Sequence, residues 1–175
     1  MSDKILVAYA TRTRSTAEIA EVISETLAEN GLQVEVRPIQ EVTDLEPYRA
    51  IVLGSPIHDK KWLPEAINFV RENQAALSEK PFAAFLVCMA LTMKNQNYHR
   101  MAVEWLEPVR RQVNPVSEGF FAGVLDVEKV SSLLHQSMFR ISVWTGVWTE
   151  GDHRNWEAIR AWASDLSHIL QASKP

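Results

Sequence analysis

Residues 5–31, ILVAYATRTRSTAEIAEVISETLAENG, join an apolar segment to an amphipathic one through a short polar turn. The run from Ile5 to Tyr9 is uninterrupted, which is typical of a strand covered on both faces of a sheet. From Ser15 onward the apolar residues recur at helical spacing, so a helix with one buried face is predicted. The turn TRTRST (11–16) has four hydroxyls, two guanidinium groups and no glycine. This strand–turn–helix unit predicts an α/β fold and places an unusually polar turn at the end of its first strand.

The same alternation of strand and helix continues along the chain. Beyond the opening unit, strands are predicted at 32–39, 49–55, 81–89 and 118–125, and helices at 63–77, 95–113, 127–144 and 152–171. Pro64 suits a first helical turn, Pro108 is expected to bend or break its helix, and Asp152 is a candidate helix cap. We predict a doubly wound five-stranded parallel sheet of order 2-1-3-4-5, with an extra helix before the closing one.

Composition limits the class of protein. The 175 residues, 46% hydrophobic and 23% charged, suit a single globular domain over 1–175. A net charge of −4 argues against nucleic-acid binding as the main role. No signal peptide, membrane span or metal site is predicted. Cys88 is the only cysteine, which excludes an internal disulfide and makes the cytoplasm the expected location.

The polar turn is a candidate phosphate site. Ligands of open α/β sheets bind where strand order reverses, which here lies between strands 1 and 3. The N–H groups at a helix start favour anions, and the hydroxyls of Thr11, Thr13, Ser15 and Thr16 can donate to phosphate oxygens. Alternatively, Ser15 or Thr16 simply caps the helix. We favour the phosphate site because capping explains only one hydroxyl of the four.

The turn resembles the phosphate loop of the flavodoxin family, Thr/Ser-x-Thr-Gly-x-Thr, at Thr11, Thr13 and Thr16. Arg14 stands at the glycine position, so its side chain either crowds the phosphate or swings outward and pairs with it. A closer resemblance, over most of the chain, is to the menaquinone-dependent protoporphyrinogen IX dehydrogenase type of flavodoxin-domain protein. The stretches that carry it are ILVAYATRT (5–13), YRAIVLGSPIHDKKWLPEAINFV (48–70) and NWEAIRAWA (155–163).

The resemblance implies FMN as the cofactor, held by three loops. Loop 11–16 would cradle the phosphate, and the loops after strands 3 and 4 would wall the isoalloxazine ring. The implied contacts are Thr11, Arg12, Thr13, Arg14, Ser15, Thr16, Ser55, Pro56, Ile57, His58, Trp62, Cys88, Met89, Ala90, Leu91 and Thr92.

Three of these residues have competing interpretations, and no residue is assigned as catalytic. Trp62 either stacks on the ring or packs against the core at the start of a helix. His58 is a candidate base, but we favour a solvent-exposed loop histidine because a flavin supplies the redox chemistry itself. Cys88 is interpreted as a small buried hydrophobe rather than a redox thiol, since no basic partner or second cysteine is visible.

The predicted extra helix, with Val130, Leu133, Leu134, Met138 and Ile141 on one face, also has two interpretations. It either presents a surface to a quinone, a porphyrin or the membrane interface, or covers the sheet edge near the fifth strand. We favour the edge-covering helix, so peripheral membrane contact is not the favoured expectation.

Three functions remain open. The first is an FMN-dependent oxidoreductase, by resemblance a protoporphyrinogen dehydrogenase that passes electrons to a quinone. The second is a flavodoxin-type carrier with a protein redox partner, and the third is a binding module that has lost FMN. A homo-oligomer is compatible with all three.

Overall fold

A computed structural model describes residues 3–129 and 132–173. The strands are β1 (Lys4–Tyr9), β2 (Gln33–Pro38), β3 (Tyr48–His58), β4 (Lys61–Trp62), β5 (Phe82–Val87), β6 (Ser117–Phe121), β7 (Val124–Leu125) and β8 (Gly151–Asp152). The helices are α1 (Ser15–Glu29), α2 (Pro64–Glu72), α3 (Gln74–Ser78), α4 (Gln96–Glu104), α5 (Glu107–Arg110), α6 (Leu133–Trp144) and α7 (Trp156–Ala172). Single 3-10 turns cover Ile39–Glu41, Met89–Thr92 and Val127–Lys129.

The main sheet confirms the predicted topology. Its parallel strands run β2-β1-β3-β5-β6, with the short β4 folded back antiparallel on β3. Counted without β4, this is the predicted order 2-1-3-4-5. The strand order reverses between β1 and β3, which are in register from Ile5 opposite Ala50 to Tyr9 opposite Gly54.

Successive strand residues point to opposite faces of the sheet, and here both sets are apolar, so helices cover both faces. One core contains Leu6, Ile51 and Leu86 together with residues of α2 to α5. The other contains Val7, Val52, Phe85 and the inner faces of α1 and α7. At Gly54 a Cβ atom would lie 1.9 Å from the Phe85 ring, so only glycine permits this ring to lie against β3.

Three predicted elements are divided in the structure. The predicted helix 63–77 is divided at Asn73 into α2 and α3, and 95–113 ends α4 at Glu104, with Pro108 in the first turn of α5. The predicted strand 118–125 is divided into β6 and β7, since β7 pairs with β8 instead of the main sheet.

Asp152 does not cap the closing helix, so that prediction is wrong. The N-cap of α7 is Asn155, whose side chain accepts from the Ala158 N–H at 3.0 Å. Asp152 instead accepts from the Arg154 backbone N–H and guanidinium at 3.0 and 2.6 Å.

The extra helix exists, but the edge-covering interpretation of it is wrong. Helix α6 buries none of its residues, and large apolar side chains of its predicted inner face, such as Leu133 and Ile141, lie in solvent. Residues 127–129 form a separate turn, and Val130 lies outside the described residues. Among the helices that the structure describes, none is long and apolar enough to cross a membrane.

Candidate functional site

The sheet register brings three loops to one edge. β1 pairs with β3 up to Tyr9 opposite Gly54, and β3 pairs with β5 up to Pro56 opposite Val87. The Ala10 N–H donates to the Gly54 carbonyl at 2.9 Å, which fixes the start of turn 11–16 beside β3. Turn 11–16, hairpin 55–62 and loop 88–92 therefore leave neighbouring strands at their carboxyl ends, where open α/β sheets bind ligands.

Arg14 has a backbone conformation that normally favours glycine. Its φ of 71° and ψ of −15° lie in the left-handed region, at a cost of about 1 kcal/mol for a non-glycine residue. Its side chain is 78% exposed, and its Nε lies 4.0 Å from Oε1 of Glu18. The arginine thus swings outward from the turn and does not fill the space over the start of α1.

Two buried hydroxyls of the turn have no internal partner. Within the described residues, the Oγ1 atoms of Thr11 and Thr16 are shielded from solvent and make no hydrogen bond. An unpaired buried hydroxyl costs about 1 to 3 kcal/mol, so native proteins rarely retain one without a reason. These are the first and last threonines of the TRTRST turn.

The start of helix α1 also has free donor capacity. In the described part of the chain no side chain caps this helix. Its first backbone hydrogen bond is donated by the Glu18 N–H to the Arg14 carbonyl, at 3.1 Å. Ser15 is buried but does not serve as the cap, so capping does not explain the hydroxyls. Unpaired helical N–H groups and two buried threonine hydroxyls together fit a phosphate group. Thr13 lies exposed at the top of the same turn.

Arg12 is held by a carboxylate of the neighbouring helix. Its Nη1 lies 2.8 Å from Glu65 Oε1, and its Nη2 donates to Oε2 at 3.1 Å, so the two groups form a bidentate ion pair. The Arg12 side chain is 59% exposed, so an anion bound in the turn would compete with Glu65 for its guanidinium. Glu65, in the first turn of α2, was not identified from the sequence because it lies 53 residues away.

A second ion-pair network fixes the start of α1 to the start of α7. The Arg154 side chain is 9% exposed and pairs with Glu18 and Asp152. Its Cζ also lies 4.4 Å from the centroid of the Trp156 ring. The hydrogen bond from Arg154 lowers the pKa of the Asp152 carboxyl, and that same bond raises the pKa of Arg154. Because Glu18 pairs with Arg154, the Glu18 carboxylate attracts the Arg14 guanidinium less strongly.

The hairpin after β3 is closed by a two-residue turn. Asp59 and Lys60 have φ of 50° and 63°, the left-handed pair that a type I′ turn requires, and His58 pairs with Lys61. Ser55 stabilises the hairpin, since its fully buried Oγ accepts from the Leu63 N–H at 3.0 Å. Its hydroxyl also donates to the Pro56 carbonyl at 2.9 Å, so both hydrogen-bonding roles are taken inside the protein.

Trp62 packs in the core, as the second of its two interpretations expects. Its side chain is 2% exposed and lies in the cluster beneath α2, although it ends β4 instead of beginning the helix. Its indole Nε1 is buried with no acceptor among the residues that the structure describes. Pro56 and Ile57 are half-buried, and Ile57 pairs with Trp62 across the hairpin.

His58 lies in solvent at the rim of the hairpin. Its Nδ1 is 3.2 Å from Asp59 Oδ2, and its ring meets the ring of His135 edge-on with centroids 6.1 Å apart. The second contact places α6 beside the hairpin, a proximity that the sequence did not indicate.

The loop after β5 is short and largely packed. Cys88 is 6% exposed, and burial raises the pKa of its thiol to about 11, as fits a small buried hydrophobe rather than a reactive thiol. The Thr92 hydroxyl closes the 3-10 turn by donating to the Met89 carbonyl at 2.8 Å. Ala90 is buried, whereas Met89 and Leu91 are half-buried, and Leu91 packs against the core that contains residues of α2 to α5.

Comparisons with known proteins agree with this geometry. A family profile described as "Flavodoxin domain" matches residues 6–154. The chain is 26% identical over 185 residues to the protoporphyrinogen IX dehydrogenase (quinone) of Leishmania major, covering 99% of this chain and 79% of that protein.

Solved structures share the fold. A flavodoxin from the domain Archaea aligns with TM-score 0.60 and 17% identity over 96% of this chain and 99% of that one. A short-chain flavodoxin associated with a PDU bacterial microcompartment aligns with TM-score 0.62 and 15% identity over 97% and 99%. The sheet order, the loop geometry and the family match lead to one conclusion: the chain belongs to the flavodoxin domain family.

Proposed function

We propose that this chain binds FMN non-covalently at the carboxyl edge of its sheet and acts as a redox protein. The observation that carries the proposal is the pair of buried, unpartnered hydroxyls of Thr11 and Thr16 at an uncapped helix start. A phosphate monoester supplies the acceptors that these groups lack.

In this proposal the chain contributes binding and orientation. Thr11, Thr16 and the N–H groups of α1 hold the phosphate, while Arg12 and Arg14 add positive charge from the exposed side of the turn. The half-buried side chains of Ile57, Met89 and Leu91, with the adjacent backbone, wall the ring. When bound, FMN supplies the electron and hydride chemistry itself, so no side chain is assigned as catalytic.

Parallel titrations of the purified protein with FMN and with riboflavin, followed by flavin fluorescence, test this proposal. The two ligands share the ring and ribityl chain and differ only in the phosphate. We expect FMN to bind at least ~100-fold more tightly, since several charge-assisted hydrogen bonds of about 1.5 to 3 kcal/mol each are lost with riboflavin. Equal affinities, or no binding of either ligand, would contradict a phosphate site at turn 11–16.

A finer proposal is protoporphyrinogen oxidation with passage of electrons to a quinone, supported by the 26% identical Leishmania relative. The assay is anaerobic turnover of FMN-loaded protein with protoporphyrinogen IX and a water-soluble quinone. Porphyrin fluorescence that rises only with both FMN and quinone present would support it. FMN binding without porphyrin formation would favour the second function, a simple electron carrier. Its association with a redox protein should weaken as the salt concentration increases.

The cytoplasmic location expected from the single cysteine belongs to this proposal, as does a single domain over residues 1–175. A colourless protein that takes up neither flavin would instead favour the binding module that has lost its cofactor.

A further inference from the structure

Helix α6 presents an unpartnered apolar face to solvent. Side chains that would normally be buried are 51% to 88% exposed here: Leu133, Leu134, Met138, Ile141, Trp144 and Val147. Among the described residues of α6 itself, none is buried. Exposed apolar surface that is contiguous and of this extent marks an interaction site.

The spacing along α6 is that of a helix–helix contact. Leu134, Met138 and Ile141 follow each other at intervals of four and three residues, which aligns them in one stripe. Leu133 and Trp144 flank the stripe at its two ends. A stripe of this kind has the spacing with which one helix packs against another.

The size of the face matches what a stable dimer needs. The six residues, 51% to 88% exposed, together present roughly 800 Å² of surface, so a dimer that covered the whole face would bury about the area that a standard interface takes from each partner.

The charges around the face do not favour an anionic membrane. Arg140 lines a pocket beneath α6 together with Glu128 and Glu150, and Lys129 Nζ is paired with Asp126 Oδ2 at 2.9 Å. Lys129 is thus paired with an acid and Arg140 has two glutamates in the same pocket, so these two cations do not form a cluster of unpaired positive charge, and the chain carries a net charge of −4. Anionic lipid attracts clustered unpaired Lys and Arg, whereas a second copy of this face needs only apolar complementarity.

We infer that α6 is a homodimer interface, in which the helix packs antiparallel against α6 of a second copy of this chain about a two-fold axis near Met138. Antiparallel packing opposes the helix dipoles and places Trp144 of each copy over the Leu133 end of the other. Because His135 contacts His58, the pairing would also hold α6 beside the hairpin of the candidate site. The inference does not depend on FMN.

Sedimentation velocity of the full chain at micromolar concentrations tests the interface. We expect a dimer for the wild type, and at least a ~100-fold weaker association for Met138→Glu combined with Ile141→Glu, because two charges would be buried. Val103→Glu is the matched control, since Val103 is also an exposed apolar residue (41%) but lies on α4. All variants should keep the wild-type circular dichroism, because the altered side chains are exposed.

Disulfide cross-linking tests the orientation. With mild oxidant, Met138→Cys should cross-link to its own copy, whereas Leu133→Cys should not, because antiparallel packing places the two Leu133 positions roughly 15 Å apart. Cys88 is buried and does not interfere.

Four results would overturn the inference: a monomeric wild type, a dimer that persists in the double variant, a dimer that dissociates with Val103→Glu, or cross-linking through Leu133→Cys. A monomer that floats with neutral phosphatidylcholine vesicles would identify a lipid surface as the occupant instead.

Discussion

Replacing Thr16 by valine separates the two roles that its hydroxyl can have. Thr16 is fully buried, and its Oγ1 has no hydrogen-bond partner in the described structure. Valine has nearly the same shape but no hydroxyl. If the hydroxyl is reserved for phosphate, the substitution should stabilise the flavin-free protein and weaken the binding of FMN.

Both magnitudes follow from the state of the hydroxyl. Removing an unsatisfied buried hydroxyl recovers about 1 kcal/mol or more of its desolvation cost, so the unfolding free energy of the flavin-free protein should rise by that amount. A hydrogen bond to a charged phosphate contributes about 1.5 to 3 kcal/mol, so the Kd for FMN should increase about 10- to 100-fold.

Thr26→Val is the matched control on the same helix. Thr26 is 5% exposed, but its Oγ1 donates to the Val22 carbonyl at 2.8 Å. This substitution should leave FMN affinity unchanged and should not stabilise the protein, because it removes a hydrogen bond that is formed.

Urea unfolding of the flavin-free proteins and fluorescence titration with FMN measure the two effects. The reasoning would be refuted if Thr16→Val destabilised the flavin-free protein as Thr26→Val does, and left the Kd for FMN unchanged.

Three further predictions concern the same region. Arg14→Gly should weaken FMN binding by less than ~10-fold, because the charge that is lost is exposed. Its net effect on the unfolding free energy should stay within about 1 kcal/mol, because the relief of the strained φ of 71° is offset by the greater entropy of glycine in the unfolded chain. Strongly tightened binding in the same titration would show that the arginine blocks the phosphate. Glu65→Gln should tighten FMN binding several-fold at low salt, since it frees Arg12 from a competing carboxylate, and titrations at rising salt should show this gain shrinking. Burial raises the pKa of the Cys88 thiol from 9.0 to about 11, so the unfolded chain loses this proton at lower pH than the folded protein does. The wild type should therefore lose about 2 to 3 kcal/mol of stability relative to Cys88→Ala as the pH rises through that range. Parallel denaturation curves across that range measure the difference, and a difference that stays constant with pH would contradict the prediction.

The fold could be predicted because its determinants are local. The apolar runs around Val7, Val52 and Phe85 are too continuous for a half-exposed strand, and the polar turn 11–16 ends the first of them. The boundaries that were wrong depend on tertiary contacts. Asp152 has the residue type of a helix cap, but the guanidinium of Arg154 pairs with its carboxylate and Asn155 caps the helix instead.

The candidate site was predictable in its hydroxyls but not in its ion pairs. The pattern TRTRST indicates Thr11 and Thr16 as candidate ligands. The bidentate ion pair of Arg12 with Glu65, in contrast, joins residues that only the packing of α2 brings together. Turn Asp59–Lys60 was also missed, because Lys60 stands where a glycine normally follows aspartate in a type I′ turn.

The extra helix shows a different limit of prediction from the sequence. Its apolar periodicity correctly predicts a helix, but periodicity gives no information on what covers the apolar face. In the structure the described residues of α6 are all at least partly exposed, so no described part of this fold covers the apolar face.

The most direct test of the account is the visible absorption spectrum of the purified protein after incubation with FMN and desalting. The account predicts that a flavin spectrum is retained in wild type and is reduced or lost in a Thr11→Val, Thr16→Val double variant that remains folded. A protein that emerges colourless after incubation with excess FMN would contradict the central claim that turn 11–16 is a phosphate-binding loop.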